Sequence, residues 1–427
     1  MRFIKPAAVS GRLDAPPSKS MMQRAVIAAA LADGESVLSN PSFCDDALAA
    51  MKVVEVLGAK AEREERLVRV KGSGGPDAGG GLPDAGGRVL DCGESGTCMR
   101  MISAVAALFG KEFTITGRGS LMNRPVGMIE NPLRTLGAEC RTQNGKPPIV
   151  VRGPIHGGRV EADGSESSQF VSGLLMALPL CKENSELNVL KLKSGGYIGI
   201  TWEVLARFGV RIDKDVHARP RERVDRYFVN GGQSYRPGRF RVDGDWSGAA
   251  FLLVAGAIAG SVEVRRLGFG QPDSAIMDAL SDAGADAETV DCDNARVQGG
   301  PLKAFEFDAS DCPDLFPPLA VLACNCEGKS VIRGARRLAH KESDRAAVLA
   351  RELGRLGADI KVVGDRMEIA GRKLAGGRVN PHGDHRIAMA AAIAALNSEK
   401  GVEIEDEGCV SKSYPRFFED LEKVVEK

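Results

Sequence analysis

The chain has 427 residues, of which 43% are hydrophobic, and its 57 lysine and arginine residues balance 57 aspartate and glutamate residues. A formal charge of zero argues against a nucleic-acid-binding protein held by bulk electrostatics, and an aromatic content of 5% argues against a stacking platform for single strands. At about 150 residues per domain, the length predicts two or three domains with sizeable cores.

The composition also predicts a cytoplasmic protein. The longest apolar stretch, 249–264, is shorter than the roughly 20 residues of a membrane-spanning helix. The N-terminal residues lack the apolar core of a secretory signal. The ten cysteines include no C-x-x-C pair, which favours reduced thiols over disulfides or a metal site.

One kind of predicted helix ends in the same way each time, with a glycine after its last apolar residue. Glycine followed by a strand is the expected chemistry of a helix C-cap. These glycines recur at intervals of roughly 75 residues, and a sixth amphipathic helix is predicted at 417–425. The recurring phrases are Leu57-Gly58-Ala59, Leu136-Gly137-Ala138, Phe208-Gly209-Val210, Ala283-Gly284-Ala285 and Leu356-Gly357-Ala358.

A second kind of predicted helix recurs with the same period and is almost wholly apolar and small. A helix that is apolar on every side is buried on every side. Each is followed by a short strand-like stretch. The helices are predicted to begin near Ser18, Gly93, Ser165, Gly244, Asp311 and Gly383, and the strands cover 36–38, 112–116, 187–192, 262–265, 330–333 and 402–405.

Together these patterns predict a module of strand, buried helix, strand, surface helix and one or two further strands, present six times. Because one module cannot bury its apolar helix alone, six modules predict two groups of three, divided near 235–238. The glycine-rich stretch 72–87 is interpreted as a flexible hairpin or loop. A phosphate loop is the alternative, although a strand-like segment rather than a helix follows it.

The starts of the predicted helices carry cations. A helix start presents unpaired N–H groups and a positive dipole end, so it binds anions readily. A single lysine or arginine there is usually a solvated surface charge, but recurrence in equivalent positions predicts that these cations converge on one cleft for anionic ligands. Asp314 and Glu342 lie among them, and carboxylates in a cationic site stay ionised and can exchange protons.

Other site types are disfavoured. The five histidines are scattered, which argues against zinc, and no G-x-G-x-x-G opens a helix after a strand, which argues against a dinucleotide site. The stretch 16–20 lacks the glycines of a Walker A loop. Cys92 and Cys98 have no evident histidine partner and are interpreted as packing residues.

Several sequence blocks, in the same order and across essentially the whole chain, resemble the EPSP synthase family, the 3-phosphoshikimate 1-carboxyvinyltransferases. No single block is specific, but the set is. The blocks are PPSKSMMQRAVIAAALADG (16–34), GESGTCMR (93–100), MNRPVGM (122–128), SSQFVSGLLM (167–176), HKESDR (340–345), GDHRIAMA (383–390) and CVSKSYPRFF (409–418).

The resemblance implies a two-domain, inside-out α/β barrel built from six βαβαββ repeats. Its implied domains are 15–236 and the pair 1–14 with 237–427. The implied reaction transfers the enolpyruvyl group of phosphoenolpyruvate to the 5-hydroxyl of shikimate 3-phosphate and releases phosphate, in the pathway to chorismate and the aromatic amino acids. It implies no cofactor, no metal, and a monomer that binds only these two small molecules.

The resemblance also implies the roles of individual residues. Asp314 is the implied base for the hydroxyl, Glu342 the group that exchanges the methylene proton, and Lys19 a phosphate clamp and acid. The implied shikimate 3-phosphate contacts are Lys19, Ser20, Arg24, Ser167, Ser168, Gln169, Ser194, Tyr197, Asp314 and Lys341. The implied phosphoenolpyruvate contacts are Lys19, Gly96, Arg124, Gln169, Arg345, Arg386 and Lys412.

Glycine at 96 leaves room for a small anion and predicts sensitivity to the phosphonate inhibitor glyphosate. The sequence departs from the family's usual residues at 21–23 and at Glu94, Met101 and Arg337, which makes ligand affinity harder to predict.

Like charges facing across a cleft predict an open free form that closes on its anions. Two alternatives stay open, the related enolpyruvyltransferase acting on UDP-N-acetylglucosamine and a non-catalytic repeat scaffold.

Overall fold

The computed structural model describes residues 1–76, 88–218 and 223–426. These residues form two compact units, one of residues 19–242 and one of residues 1–18 with 243–427. Each unit has its own hydrophobic core. No helix in the described ranges is both long enough and apolar enough to cross a bilayer.

Twelve α-helices occur in the described residues, and they are numbered here in chain order. They are α1 (Lys19–Leu31), α2 (Asp45–Val56), α3 (Gly96–Ala106), α4 (Glu130–Thr135), α5 (Gln169–Ala177), α6 (Gly196–Arg207), α7 (Trp246–Ala259), α8 (Ile276–Asp282), α9 (Phe316–Cys324), α10 (Arg345–Arg355), α11 (His385–Leu396) and α12 (Phe417–Glu422).

The strands of the same ranges are numbered in the same way. They are β1 (Arg2–Ile4), β2 (Val9–Asp14), β3 (Asp33–Ser39), β4 (Lys60–Arg63), β5 (Leu67–Ser73), β6 (Arg88–Asp91), β7 (Glu112–Thr116), β8 (Glu139–Gln143), β9 (Lys146–Arg152), β10 (Arg159–Asp163), β11 (Ser185–Leu190), β12 (Asp213–Ala218), β13 (Arg223–Val229), β14 (Arg239–Arg241), β15 (Gly260–Arg265), β16 (Asp286–Asp291), β17 (Asn294–Gln298), β18 (Glu306–Asp308), β19 (Lys329–Arg333), β20 (Asp359–Val363), β21 (Arg366–Ala370), β22 (Gly377–Val379) and β23 (Val402–Ile404).

The strands pair in the same way in every sheet. Two strands lie parallel, and the second of them pairs antiparallel with a further strand. The sheets of residues 19–242 are β14-β3-β5-β4, β6-β7-β9-β8 and β10-β11-β13-β12. Those of the other unit are β2-β15-β17-β16, β18-β19-β21-β20 and the three-stranded β1-β23-β22. Each of these sheets is open, with two edge strands, so the class is mixed α/β and no closed barrel occurs among the described strands.

Both kinds of predicted helix are confirmed. The nearly all-apolar helices α1, α3, α5, α7, α9 and α11 have almost all of their residues buried. The helices α2, α4, α6, α8 and α10 each end just before one of the predicted glycines. Those glycines have φ between 82° and 101°, the left-handed region that a C-cap requires.

The ends of the two units differ from the boundaries read in the sequence, 14/15 and 236/237. Strand β14 pairs in parallel with β3, which keeps the chain in the first unit as far as residue 242. Strand β2 pairs in parallel with β15, which places the N-terminal strand in the unit of residues 243–427. The predicted loop at 72–87 is wrong at its start, because Gly72 and Ser73 belong to β5; residues 77–87 lie outside the described residues.

A second set of recurring glycines holds the sheets against the buried helices. These glycines lie at the end of the third strand of five sheets, and a Cβ on any of them would overlap a backbone carbonyl oxygen at or after the end of the preceding buried helix. Only glycine allows so close an approach. The sequence analysis missed this repeat, whose members are Gly72, Gly153, Gly231, Gly299 and Gly371.

We expect Gly371→Ala to destabilise the protein by about 1–3 kcal/mol, because the new methyl group would overlap the Cys326 carbonyl oxygen and force the backbone apart. Gly354→Ala is the matched control, since Gly354 lies in α10 with nothing within 4 Å of the added Cβ. Urea unfolding would show a lower midpoint for the first variant only. Equal midpoints would contradict the packing role.

Candidate active site

The structure divides the predicted site residues between the two units. The Lys19 cluster, in residues 19–242, consists of Lys19, Ser20, Arg24, Gly96, Arg124, Ser167, Ser168, Gln169, Ser194 and Tyr197. The Arg345 cluster, in the other unit, consists of Asp314, Lys341, Glu342, Arg345, Arg386 and Lys412.

Lys19 opens α1 and is held by a carboxylate that the sequence analysis did not identify. Its Nζ lies 3.0 Å from Asp46 Oδ2, near the start of α2. The lysine side chain is 14% exposed and the aspartate side chain 6%, so solvent screens this pair less than a surface ion pair. Asp46 therefore fixes where the ammonium group points while leaving part of it accessible.

Arg24 lies five residues further along α1 and is fully buried. Its Nε donates to Thr201 Oγ1 at 2.7 Å and its Nη1 to the Ser20 carbonyl at 2.7 Å. Its Nη2 lies 3.4 Å from both Ser172 Oγ and the Tyr197 carbonyl. Burial lowers the pKa of Arg24 to about 10, so the group still carries its charge at neutral pH. Hydrogen bonds to neutral oxygens orient this charge without cancelling it.

The starts of α3 and α5 are joined through Gln169. Its Oε1 accepts from Arg100 Nη1 at 2.8 Å, and its Nε2 donates to Thr97 Oγ1 at 2.7 Å. A Cβ on Gly96 would lie 3.0 Å from Arg100 Nη1 and 3.1 Å from Arg124 Nη1. Two guanidinium groups therefore flank the glycine at the start of α3, where N–H groups also favour an anion.

The hydroxyl residues of the Lys19 cluster precede or open α5 and α6. Ser168 is the N-cap residue of α5, and Ser167 Oγ accepts from the Gln169 N–H at 3.1 Å. Ser194, just ahead of α6, has a left-handed φ of 54°, and Tyr197 is in the first turn of that helix. The structure thus places eight of the ten residues of the cluster at or just before a helix start, as predicted, whereas Arg24 lies in the middle of α1 and Arg124 follows a short 3₁₀ helix, Gly119–Asn123.

Asp314 is the centre of the Arg345 cluster. Its Oδ2 lies 3.0 Å from Arg386 Nη2, and its Oδ1 lies 3.1 Å from Arg345 Nη1 and 3.6 Å from Lys341 Nζ. Burial acts to raise the pKa of Asp314, but attraction to these three cations outweighs it and holds the pKa well below its usual range. The carboxylate is therefore ionised in the free protein.

Arg345 opens α10 and is completely buried among carboxylates. Its Nε lies 2.9 Å from Asp384 Oδ2 and its Nη2 3.2 Å from Asp384 Oδ1, a two-pronged pair, and Nη2 also pairs with Glu342. Burial acts to lower the pKa of Arg345, but Asp384, Glu342 and Asp314 more than offset it and raise the pKa. Arg345 is thus permanently charged and holds two predicted catalytic carboxylates at once.

Arg386, the second residue of α11, is also buried and bonded on several sides. Its Nη2 donates to Ser247 Oγ at 2.9 Å, and that hydroxyl donates to Asp245 Oδ2 at 2.8 Å. Burial acts to lower the pKa of Arg386, and Asp314 is the main group that raises it above its ordinary value. The N-cap Asp245 of α7 thereby helps to orient a cation carried by α11.

The two lysines of this cluster differ. Lys341 has a side chain that is 26% exposed, and burial lowers its pKa to about 8 against the attraction of Asp314. Lys412 is 5% exposed and ends a short 3₁₀ helix at Glu407–Lys412. Lys341 is therefore the cation of the cluster whose charge changes nearest neutral pH.

Sequence reasoning assigned no role to several residues that contact the site. Arg100 and Asp384 stand at predicted helix starts inside quoted blocks, so their position was a usable signal, whereas Asp46 lies in none of the blocks. Ser247 and Thr201 carry no such signal, since only tertiary contact brings them to Arg386 and Arg24. Cys92 and Cys98 are buried packing residues, as expected, and burial raises the pKa of Cys92.

The carboxylates of the Arg345 cluster are not arranged as metal ligands. Within the described ranges, no group of three or more histidine, cysteine, aspartate or glutamate side chains could hold a metal ion. What the cluster offers is carboxylates held at fixed positions beside cations, with Asp314 ionised. Such groups can bind phosphate and carboxylate oxygens and can move protons.

We expect Asp384→Asn to cost about 3–5 kcal/mol of unfolding free energy, because it removes one partner of a fully buried ion pair and leaves the Arg345 charge poorly compensated. The control is Glu419→Gln, which breaks a pair with Arg416 in which both side chains are about two-thirds exposed, and which is expected to cost under about 1 kcal/mol. Urea titration measures both. A loss for Asp384→Asn no larger than the control's would contradict the buried-pair account.

Comparison with known proteins places the chain in a family. The family model described as EPSP synthase (3-phosphoshikimate 1-carboxyvinyltransferase) matches residues 4–421. A protein of Aeropyrum pernix named 3-phosphoshikimate 1-carboxyvinyltransferase is 39% identical, with 99% of this chain and 95% of that protein covered. One of Clostridium novyi with the same name is 36% identical, covering 99% and 96%. A solved EPSP synthase structure from Acinetobacter baumannii aligns with a TM-score of 0.81 at 27% identity, covering 99% and 97%. The chain therefore belongs to the EPSP synthase family.

Proposed function

We propose that this protein transfers the enolpyruvyl group of phosphoenolpyruvate to the 5-hydroxyl of shikimate 3-phosphate and releases phosphate. Family membership over nearly the whole chain supports the reaction. The observation that carries it is the arrangement around Arg345, which holds two ionised or ion-paired carboxylates, Asp314 and Glu342, beside cations suited to phosphorylated ligands. The reaction needs that combination of anion binding and proton transfer.

We propose substrate contacts in each of the two clusters, taken separately. The neutral partners of Arg24 leave its charge uncompensated for the phosphate of shikimate 3-phosphate, and the two guanidinium groups beside Gly96 suit the smaller phosphoenolpyruvate. Arg345 has fewer free donors, because Nε and Nη2 both bond to Asp384. Its Nη1 donates to Asp314, so its predicted contact with phosphoenolpyruvate would use the second N–H of Nη1 or would require a carboxylate to move.

The chemistry assigns a proton to each carboxylate. The substrate hydroxyl oxygen bonds to C2 of phosphoenolpyruvate while its proton goes to Asp314, and the methylene carbon takes a proton from Glu342, which must carry that proton before the step. Elimination then breaks the bond from C2 to the phosphate oxygen, returns a methyl proton to Glu342, and passes the proton held by Asp314 to the released phosphate. The low pKa of Asp314 makes it a weak base in the free protein, so we propose that anions binding to Lys341 and Arg386 draw these cations away and raise its basicity.

The domain division, the oligomeric state and the cellular location are also proposals that rest on family membership. We propose that residues 19–242 and residues 1–18 with 243–427 are the two enolpyruvyltransferase domains, each built from three repeats in the family's inside-out arrangement. We further propose a cytoplasmic monomer that acts without a cofactor. Size-exclusion chromatography with light scattering would test the monomer, because a dimer would double the measured mass.

The function is tested by supplying phosphoenolpyruvate with either shikimate 3-phosphate or UDP-N-acetylglucosamine and measuring phosphate release. Release with shikimate 3-phosphate alone is expected. Release with the sugar nucleotide would support the related enolpyruvyltransferase instead, and release with neither would leave a non-catalytic scaffold as the better account. Mass spectrometry of the product confirms that the enolpyruvyl group has reached the acceptor.

We expect Asp314→Asn and Glu342→Gln each to lower kcat by roughly 10²- to 10⁴-fold, the usual range for a positioned acid or base. Glu342→Gln should also slow exchange of the methylene hydrogens with solvent deuterium, whereas the control Glu368→Gln, in β21, should change neither. Steady-state rates and deuterium content at the methylene carbon measure the two effects. A Glu342→Gln variant with normal exchange would refute the assignment.

The pKa of Lys341, about 8, predicts how shikimate 3-phosphate affinity depends on pH. An anion binds better to the protonated lysine, so affinity is retained below pH 8 and is lost as the pH rises through that value. KM for shikimate 3-phosphate should therefore rise between pH 8 and pH 9.5 in the wild type. Lys341→Arg should remove this rise, because a guanidinium does not titrate there; a rise of the same size in the variant would contradict the prediction.

Glyphosate is expected to inhibit the wild-type enzyme in competition with phosphoenolpyruvate. Gly96→Ala should weaken inhibition about tenfold or more, because its Cβ would press against Arg100 and Arg124 where the anion binds. Gly354→Ala, in open space on α10, should leave the inhibition curve unchanged. An inhibition curve that stays flat to high inhibitor in the wild type would show the prediction to be wrong.

A further inference from the structure

Glu352, outside both clusters, is a buried carboxylate with an unusually full set of partners. It lies on α10 two turns after Arg345 and is 1% exposed. Its Oε1 lies 2.9 Å from Arg351 Nε and 3.1 Å from His382 Nε2. Its Oε2 lies 3.0 Å from Arg355 Nη1 and accepts from the backbone N–H of Asn380 at 3.1 Å.

The two bonds to Asn380 and His382 hold the turn that leads into α11. In that turn the His382 N–H donates to Asn380 Oδ1 at 2.7 Å, and the Asp384 N–H donates to the Pro381 carbonyl at 2.9 Å. His382 and Gly383 both have left-handed φ, 53° and 70°. A non-glycine residue in that region is uncommon and needs support from its surroundings, which Glu352 supplies.

Two site residues follow this turn directly. Asp384 caps α11 and accepts hydrogen bonds from Arg345 with both carboxylate oxygens, and Arg386 forms an ion pair with Asp314. Two sets of contacts thus hold helix α10, which carries Arg345, to the start of α11. The first is the ion pair between Arg345 and Asp384, and the second is formed by Glu352 and the 380–383 turn. Loss of the second set would release the turn and allow Arg345 and Arg386 to shift relative to each other.

We propose that Glu352 is a positioning residue for phosphoenolpyruvate. By fixing the turn 380–383 against α10, it sets the spacing of Arg345 and Arg386, the two cations on these elements assigned to that substrate. The inference rests on the proposed function, since it concerns the affinity for one of its two substrates. Arg355 neutralises the carboxylate from the solvent side, where its side chain is 56% exposed. Arg351, 50% exposed, pairs with Glu352 and also contacts His382 Nε2 at 2.6 Å, so it belongs to the same support of the turn.

The test is a set of steady-state measurements in which KM for each substrate is determined separately. Glu352→Ala should raise KM for phosphoenolpyruvate roughly 10- to 100-fold, the scale of an approximately 1 Å misplacement, and leave KM for shikimate 3-phosphate within about twofold. Glu352→Gln keeps an oxygen for the Asn380 N–H and should recover much of the loss. Arg355→Ala removes a half-exposed cation that contacts Glu352 but not the turn, and it should leave both KM values unchanged.

Glu130 provides the matched structural control. It is a carboxylate on α4 that accepts from the backbone N–H of Thr142 at 2.7 Å and from Arg134 at 3.0 Å, so it anchors a hairpin rather than a site turn. Glu130→Ala should lower the unfolding temperature without changing either KM. Circular dichroism and thermal melting establish that each variant is folded. If Glu352→Ala fails to fold, Glu352→Gln gives the same readout with a smaller expected rise in KM.

The outcomes separate the two proposals. A selective rise in KM for phosphoenolpyruvate supports the positioning role. Unchanged KM values in a folded variant, or equal rises for both substrates, would overturn it while leaving the proposed function in place. A wild-type protein that forms no enolpyruvyl product would overturn the proposed function and this inference together.

Discussion

The structure of the Arg345 cluster depends on one fully buried guanidinium. Burying a charge is costly unless it is paired, and a buried pair broken on one side is strongly destabilising. Arg345 meets this requirement with Asp384, Asp314 and Glu342, which come from three separate segments of the chain. The same bonds that make its burial tolerable therefore fix the positions of both predicted catalytic carboxylates. Stability and the geometry for proton transfer have a common origin here.

The Lys19 cluster solves a related problem in a different way. Arg24 is as deeply buried as Arg345, but its hydrogen bonds go to hydroxyl and carbonyl oxygens, and its pKa falls instead of rising. One unit thus holds a buried arginine whose charge is oriented but not neutralised, whereas the other holds an arginine saturated by carboxylates. The first arrangement suits binding of an anion, and the second suits the holding of acids and bases.

The repeat and the residues at helix starts could be read from the sequence because both are local patterns. The glycines after α2, α4, α6, α8 and α10 and the apolar helices follow from C-cap chemistry and periodicity. Contacts between residues that are distant in the sequence could not be predicted from it. Asp46 beside Lys19, Thr201 beside Arg24 and Glu352 beneath the 380–383 turn carry no distinguishing local signal. The sequence also predicted a mainly cationic site, whereas Asp384 brings the Arg345 cluster close to charge balance.

The central claim is that Arg345 holds Asp314 and Glu342 where they can exchange protons with the substrates. The most direct measurement is a crystal structure of Asp314→Asn, which keeps the side-chain size but slows turnover, soaked with shikimate 3-phosphate and phosphoenolpyruvate. The account predicts that the side chain at position 314 lies within hydrogen-bond reach of the 5-hydroxyl and that Glu342 lies beside the methylene carbon. A complex in which the reacting atoms lie away from both side chains would contradict it.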